Sequence, residues 1–287
     1  LGLANECKHG NILRQIQHFQ ANLDLPQNRL TGINPEAYSA EGDTLYFMGC
    51  LPIFDQIFLH TDSLKIAHNT LKILNHAGVK PVLSNQEKCC GYDLLWGGET
   101  NDFEKLAKHN LSFLKNLGIK KIITSCAECF ITLRDEYAKI EKVDYEVVHI
   151  TQFVADALKS GKIKPKNEIK ESVTYHDPCR LGRVGRVFQE PREILKSLPG
   201  LNFKEMARNM ENSACCGVGN FSNCDTYTKF LQNERINEAL DTGSQFMLTA
   251  CPKCRLHFDC YLDGRPIEGS KEIKITDITE IIARSIE

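Results

Sequence analysis

From Thr44 onward the chain alternates two hydrophobic patterns. Short apolar runs read as buried strands: 44–50 (TLYFMGC), 80–84 (KPVLS), 120–126 (KKIITSC) and 145–151 (YEVVHIT), then 172–179 (SVTYHDPC), 245–251 (QFMLTAC) and 272–276 (EIKIT). Between them, apolar residues recur three and four apart, as on one face of a helix. Leu64, Ala67, Leu71 and Leu74 predict a helix near 62–77, and Phe103, Leu106, Ala107 and Leu114 predict one near 101–117. Helices near 190–198 and 225–240 take the equivalent places further on, and the runs at 145–151 and 272–276 each lead into a final helix. Strands alternating with helices predict an α/β fold with mostly parallel sheets, in which chemistry sits at the carboxyl ends of the strands.

Four of these runs end on a cysteine. Cys50, Cys89, Cys90, Cys126 and Cys129 recur in the same order as Cys179, Cys215, Cys216, Cys251 and Cys254, at offsets of 125 to 129 positions. Five cysteines repeated at a nearly constant offset mark an internal duplication. The chain therefore divides into an N-terminal extension (1–43), a first half (44–160), a lysine-rich linker (161–171) and a second half (172–287). The fold expected is two Rossmann-like halves related by a pseudo-twofold axis, with cysteines at the strand C-terminal ends.

Composition narrows the chemistry. The 287 residues are 42% hydrophobic and 25% charged with a net charge of −2, so no basic field points to nucleic acid. No apolar run approaches the roughly 20 residues of a membrane helix, and direct membrane insertion is not expected. The first residues, LGLANECKHG, lack the basic and apolar regions of a signal peptide and an initiator Met. A cytoplasmic location is expected, with any membrane association through a partner, for a chain that reads as processed or cut from a longer one. Thirteen cysteines in such a chain point to metal or redox chemistry rather than a disulfide scaffold.

Zinc takes four ligands in a tetrahedron. Here each half offers one C-x-x-C and one vicinal pair. Adjacent side chains diverge and poorly chelate one small ion, but they can reach different irons of a larger cluster. Five thiolates exceed the four of an ordinary cubane. Gly91 and Gly217 follow the pairs, where a positive φ or a close backbone approach is expected.

The stretches FMGC, EKCCGYD, SCAEC, YHDPCRLGR, ACCGVG and CPKC resemble the cysteine-rich CCG domain in duplicate. That family includes the B-type and D-type subunits of heterodisulfide reductase and iron–sulfur subunits of anaerobic glycerol-3-phosphate, lactate, glycolate and fumarate or succinate enzymes. The resemblance implies two [4Fe-4S] clusters of noncubane form, one held by Cys50, Cys89, Cys90, Cys126 and Cys129, the other by Cys179, Cys215, Cys216, Cys251 and Cys254. It implies reduction of a small disulfide substrate such as CoM-S-S-CoB to two thiols between the clusters. The partners implied are a ferredoxin-like iron–sulfur subunit and a flavin or membrane electron-donor subunit. Two other readings stand beside it: an electron-transfer subunit of an anaerobic dehydrogenase, and a zinc structural module. The segment ECKHGNILRQIQHFQ resembles the tail of a ferredoxin domain, as in D-type subunits.

Outside the two sets, Cys7 reads as a plain thiol rather than a ligand, and Cys224 and Cys260 as small buried side chains. His176 and His149, at strand ends, are candidate proton donors, with a structural hydrogen bond as the plainer role. Arg180, Arg183 and Arg186 suit an anionic substrate, or else a solvated loop or an interface for a redox partner. The charge of the 161–171 linker reads as solvation.

Overall fold

A computed structural model describes residues 10–58, 61–218, 226–262 and 273–286. Helix α1 (Gly10–Asn22) precedes the first half. That half runs β1 (Thr44–Phe47), α2 (Leu51–Ile57), α3 (Leu64–His76), α4 (Tyr92–Gly97), α5 (Thr100–Asn116), β2 (Lys121–Thr124), α6 (Ala127–Ile131), α7 (Tyr137–Ile140), β3 (Glu146–His149) and α8 (Ile150–Lys159). The second half runs β4 (Ser172–His176), α9 (Gln189–Ser197), β5 (Asn202–Phe203), α10 (Thr226–Asp241), β6 (Phe246–Thr249), α11 (Pro252–Leu262), β7 (Lys274–Asp277) and α12 (Ile278–Ser285).

Each half builds one parallel sheet. The orders are β1-β2-β3 and β5-β4-β6-β7. The strands correspond as β1 to β4, β2 to β6 and β3 to β7. At the place equivalent to β5, the expected strand over 80–84 contracts to a bridge at Val82, whose N–H and C=O pair with Thr44 and Tyr46. Pro81 lacks an N–H, and the chain turns at 85–86, so the ladder ends after one residue. The central strands carry side chains that are buried on both faces, as parallel sheets covered by helices require.

The halves interlock through their last helices. Helix α8, from the first half, packs on α9 of the second, and α12, from the second, packs on α3 of the first. Lys159–Glu193 (2.8 Å) and Lys65–Glu280 (3.1 Å) are corresponding surface ion pairs at these two contacts. The buried face of α3 carries Ile66, Leu71, Ile73 and Leu74, each burial contributing about 1.5–3 kcal/mol. Two caps fix where the exchanged helices begin. Nδ1 of His149 accepts from Thr151 N–H while Gln152 Oε1 accepts from His149 N–H, and Asp277 Oδ1 accepts from Thr279 N–H.

The 161–171 connection keeps its lysines exposed but anchors Ile163 and Ile169 in the core. Lys166 and Asn167 donate backbone N–H groups to Ser285 C=O at the end of α12. No described helix is long and apolar enough to cross a membrane.

Candidate metal centre

The ten repeated cysteines lie at the carboxyl edges of the two sheets. Cys50 and Cys179 follow β1 and β4, and Cys126 and Cys251 follow β2 and β6. Cys129 and Cys254 stand in the first turns of α6 and α11, and Cys89-Cys90 occupy the loop into α4. Gly91 has φ +82° and Gly217 φ +81°. A Cβ at Gly91 would lie 2.8 Å from the Phe103 ring, and one at Gly217 would lie 3.0 Å from Thr228 O, so both turns need glycine.

The ten repeated cysteines are all free thiols. The sulfurs of Cys50 and Cys89 are 3.1 Å apart, too far for a disulfide, and those of Cys129 and Cys90 are 3.5 Å apart. The same contacts recur between Cys179 and Cys215 and between Cys216 and Cys254. Cys126 meets Cys129, and Cys251 meets Cys254. Cys126 and Cys251, equivalent residues of the two halves, also meet each other. The ten thiols therefore form one unbroken array that crosses the pseudo-twofold axis. Such a set of soft donors, seven of the ten buried, fits sulfur-ligated iron. Cys260 stands apart on α11, near Lys229, and Cys7 and Cys224 lie outside the described residues.

Neighbouring sulfurs divide the protons unevenly. Cys89 is held well below the ordinary thiol value, first by hydrogen bonds from Cys50 and Cys90 and then, against burial, by the Gly91 N–H and the Lys253 charge. Cys50 is pushed well above it by its bond to Cys89 and by burial. Cys215 and Cys179 repeat this division in the second half, Cys215 lowered first by Cys179, and Cys179 raised first by Cys215.

The loops that carry the thiols are tied by buried polar groups that pattern reading did not single out. Asn110 accepts from Lys88 N–H (3.0 Å) and donates to the carbonyls of Lys88 and Cys89 (both 3.1 Å), while Tyr137 OH donates to Cys90 C=O (3.1 Å). Glu87 accepts from Gly49 N–H (2.9 Å) and pairs with Arg29 (2.5 Å), joining the Cys50 loop to the Cys89 loop. Helix α1 contributes Gln20, whose Oε1 accepts from Cys89 N–H (3.0 Å), and Gln17, whose Nε2 donates to Asp93 (2.6 Å).

Lys253, inside the second C-x-x-C, reaches into the first half. Its ammonium lies 2.5 Å from Asp93 and 2.6 Å from Glu128, which is the residue inside the first C-x-x-C. Burial opposes the Lys253 charge, but Asp93 and Glu128 more than offset it and hold the ammonium well above its usual value. One ammonium cannot neutralise two buried carboxylates. Burial, with the Asp93 charge added, pushes Glu128 up to about 8 even against Lys253. The only sequence signal was the opposite charge at equivalent positions, Glu128 and Lys253.

A cavity of about 290 Å³ opens between the halves. Tyr92 and Glu128 line it from the first half, and Cys179, Arg180, Arg183 and Cys215 from the second. Arg180 donates to Tyr92 OH (2.7 Å) and stacks on Trp96, 4.2 Å from its centroid. Arg186 is exposed and does not line the cavity. His149 and His176 are fully buried away from its walls. His149 caps α8 through Nδ1, and burial lowers its imidazole to about 4.

Comparison with known proteins agrees with this geometry. The profile of the CCG cysteine-rich domain matches residues 44–134 and 173–259. The chain is 34% identical over 269 residues to the D-type subunit of the dihydromethanophenazine:CoB–CoM heterodisulfide reductase of Methanosarcina barkeri. The match covers 91% of this chain, which spans 63% of that protein's length. It is 30% identical over 258 residues to the EtfAB:quinone oxidoreductase of Syntrophomonas wolfei, covering 86% of this chain and 35% of that protein. Among solved structures, a hypothetical protein from Helicobacter pylori shares the fold, with a TM-score of 0.58 at 13% identity, covering 96% of this chain and 58% of that one.

Proposed function

The chain belongs to the duplicated CCG cysteine-rich domain family of iron–sulfur oxidoreductases, and on that premise we propose that it is the disulfide-reducing component of a heterodisulfide reductase-like complex. In this reading Cys50, Cys89, Cys90, Cys126 and Cys129 hold one noncubane [4Fe-4S] cluster, and Cys179, Cys215, Cys216, Cys251 and Cys254 hold the other. The observation that carries it is the continuous array of ten free thiols across the pseudo-twofold axis, with a cavity at its edge. Five thiols per half suit a wide cluster better than a tetrahedral zinc ion.

Bound there, the clusters would supply electrons one at a time. Splitting a disulfide into two thiols consumes two electrons and two protons. The cavity between the halves, with Cys179 and Cys215 in its wall, is where a small disulfide binds in this reading. Arg180 and Arg183 supply positive charge at its mouth, which favours a substrate carrying carboxylate, sulfonate or phosphate groups. Tyr92 and Trp96 hold the Arg180 guanidinium in place. Electrons arrive from a ferredoxin-like iron–sulfur partner fed by a flavin or membrane subunit, and the chain works at the cytoplasmic side.

A second reading, an electron-transfer subunit, is favoured by the resemblance to the quinone oxidoreductase. Turnover of the intact complex with Cys129→Ser or Cys254→Ser separates the two. Disulfide reduction needs both halves, so either variant abolishes it. Full disulfide reduction with one cluster damaged, or turnover confined to a non-sulfur substrate, contradicts the first reading.

A further inference from the structure

Position 176 breaks the likeness of the two halves. Strand β1 ends on Phe47 and β4 ends on His176, opposite the equivalent partners Thr124 and Thr249. A ring nitrogen of His176 and the sulfurs of Cys216 and Cys254 all lie within 4.8 Å of one another, and all three residues are buried. Nδ1 of His176 accepts from Nε of Arg235 at 3.0 Å. A guanidinium has only donors and does not lose its proton in proteins, so Nδ1 is the bare nitrogen and the neutral ring carries its proton on Nε2. Nε2 is buried and has no hydrogen-bond partner among the described residues. In the first half the ring of Phe47 and the Cys129 sulfur both stand by the Gly49 turn, and the ring offers only C–H.

We propose that, with a cluster bound, the otherwise unpartnered Nε2–H of His176 donates to a sulfur of Cys216 or Cys254 and so makes the second centre easier to reduce than it would be with an apolar residue at 176. This rests on the cluster reading above. A hydrogen bond to a ligating sulfur spreads its negative charge and favours the more electron-rich state, one of the protein's means of setting potential. A metal-bound histidine ordinarily donates its other N–H to a carboxylate or carbonyl. Here the other nitrogen faces a donor, so iron on Nε2 would require a ring stripped of both protons. His176 is a positioning residue and not a ligand. The effect falls on the half whose Cys179 and Cys215 open onto the cavity.

The test uses anaerobically isolated holoprotein labelled with 15N-histidine. Electron–nuclear double resonance should find a weak 15N-histidine coupling on only one of the two cluster signals. His176→Phe should remove that coupling while iron content stays unchanged. In a redox titration that signal's reduction equilibrium should weaken about tenfold, equivalent to about 59 mV for one electron, with the other signal unmoved. His176→Gln, which keeps a side-chain N–H, should recover most of the shift. A strong, directly bonded 15N coupling, or iron lost from His176→Phe, would make His176 a ligand and overturn the proposal. So would the absence of histidine coupling on both signals of the native protein, a result that needs no variant to fold. A chain that binds no iron and sulfide overturns the cluster reading itself, and this proposal with it.

Discussion

Lys253 and Glu128 occupy equivalent places in the two C-x-x-C motifs, and the ammonium of one lies 2.6 Å from the carboxylate of the other. A duplicated site would normally repeat its charges. Here the repeat has opposite signs, so the two halves attract at their axis. Asp93 completes the group, and Gln17 of α1 holds Asp93 from behind. Removing one partner of a buried charge group leaves the others uncompensated, at a cost of about 3–5 kcal/mol. Lys253→Met should lose stability of that order in urea unfolding. Adding Asp93→Asn should recover part of the loss, because contacting residues couple. Strictly additive losses would mean that the group is not coupled.

Gln20 tests the tie between α1 and the first site. Its side chain accepts from the Cys89 N–H. Gln20→Leu leaves that buried N–H unmatched, at about 1–3 kcal/mol. The variant should be less stable by that amount, and only the first half's spectroscopic signal should shift. An unchanged melting curve and spectrum would show that α1 merely lies on the surface.

The pH dependence of stability should carry the mark of Asp277. Burial raises its carboxyl to about 6 from an ordinary 3.8, against its bonds to Thr279. The folded state then holds a proton that the unfolded chain has released, so this contribution is present below the unfolded value and is lost as pH rises through 3.8 to 6. The loss is about 3 kcal/mol. Asp277→Asn should make unfolding free energy rise more steeply, or fall less, across that window. Identical slopes for both proteins would contradict the assignment.

Cysteine variants should divide sharply. Cys90→Ser and Cys216→Ser should each disturb the cluster of their own half, whereas Cys260→Ser, at a thiol outside the array, should keep full iron. Loss of a whole cluster's iron from Cys260→Ser would show the ligand sets to be wrong.

Much of this was legible before the fold. The helices expected near 62–77 and 101–117 are found at Leu64–His76 and Thr100–Asn116, because a single apolar face decides them. The five-cysteine repeat marked the carboxyl edges of the strands. What escaped was whatever depends on how the halves meet. Nothing local distinguishes Cys126, which contacts its own counterpart Cys251, from any other motif cysteine. Gln17 and Gln20 look like the solvent face of a helix, yet both are buried against the first site. The run at 80–84 has strand composition, but a strand needs partners along its length, and only Val82 finds them. His149 and His176 sit at strand ends as expected, and their separate tasks are set by Thr151 and Arg235, which pattern alone does not pair with them.

The central claim is that ten thiols hold two iron–sulfur clusters, and metal analysis of the anaerobically purified chain tests it most directly. The account predicts a brown protein with about eight irons and about eight acid-labile sulfides per chain, as two four-iron clusters require. A colourless protein carrying stoichiometric zinc and no sulfide would contradict it.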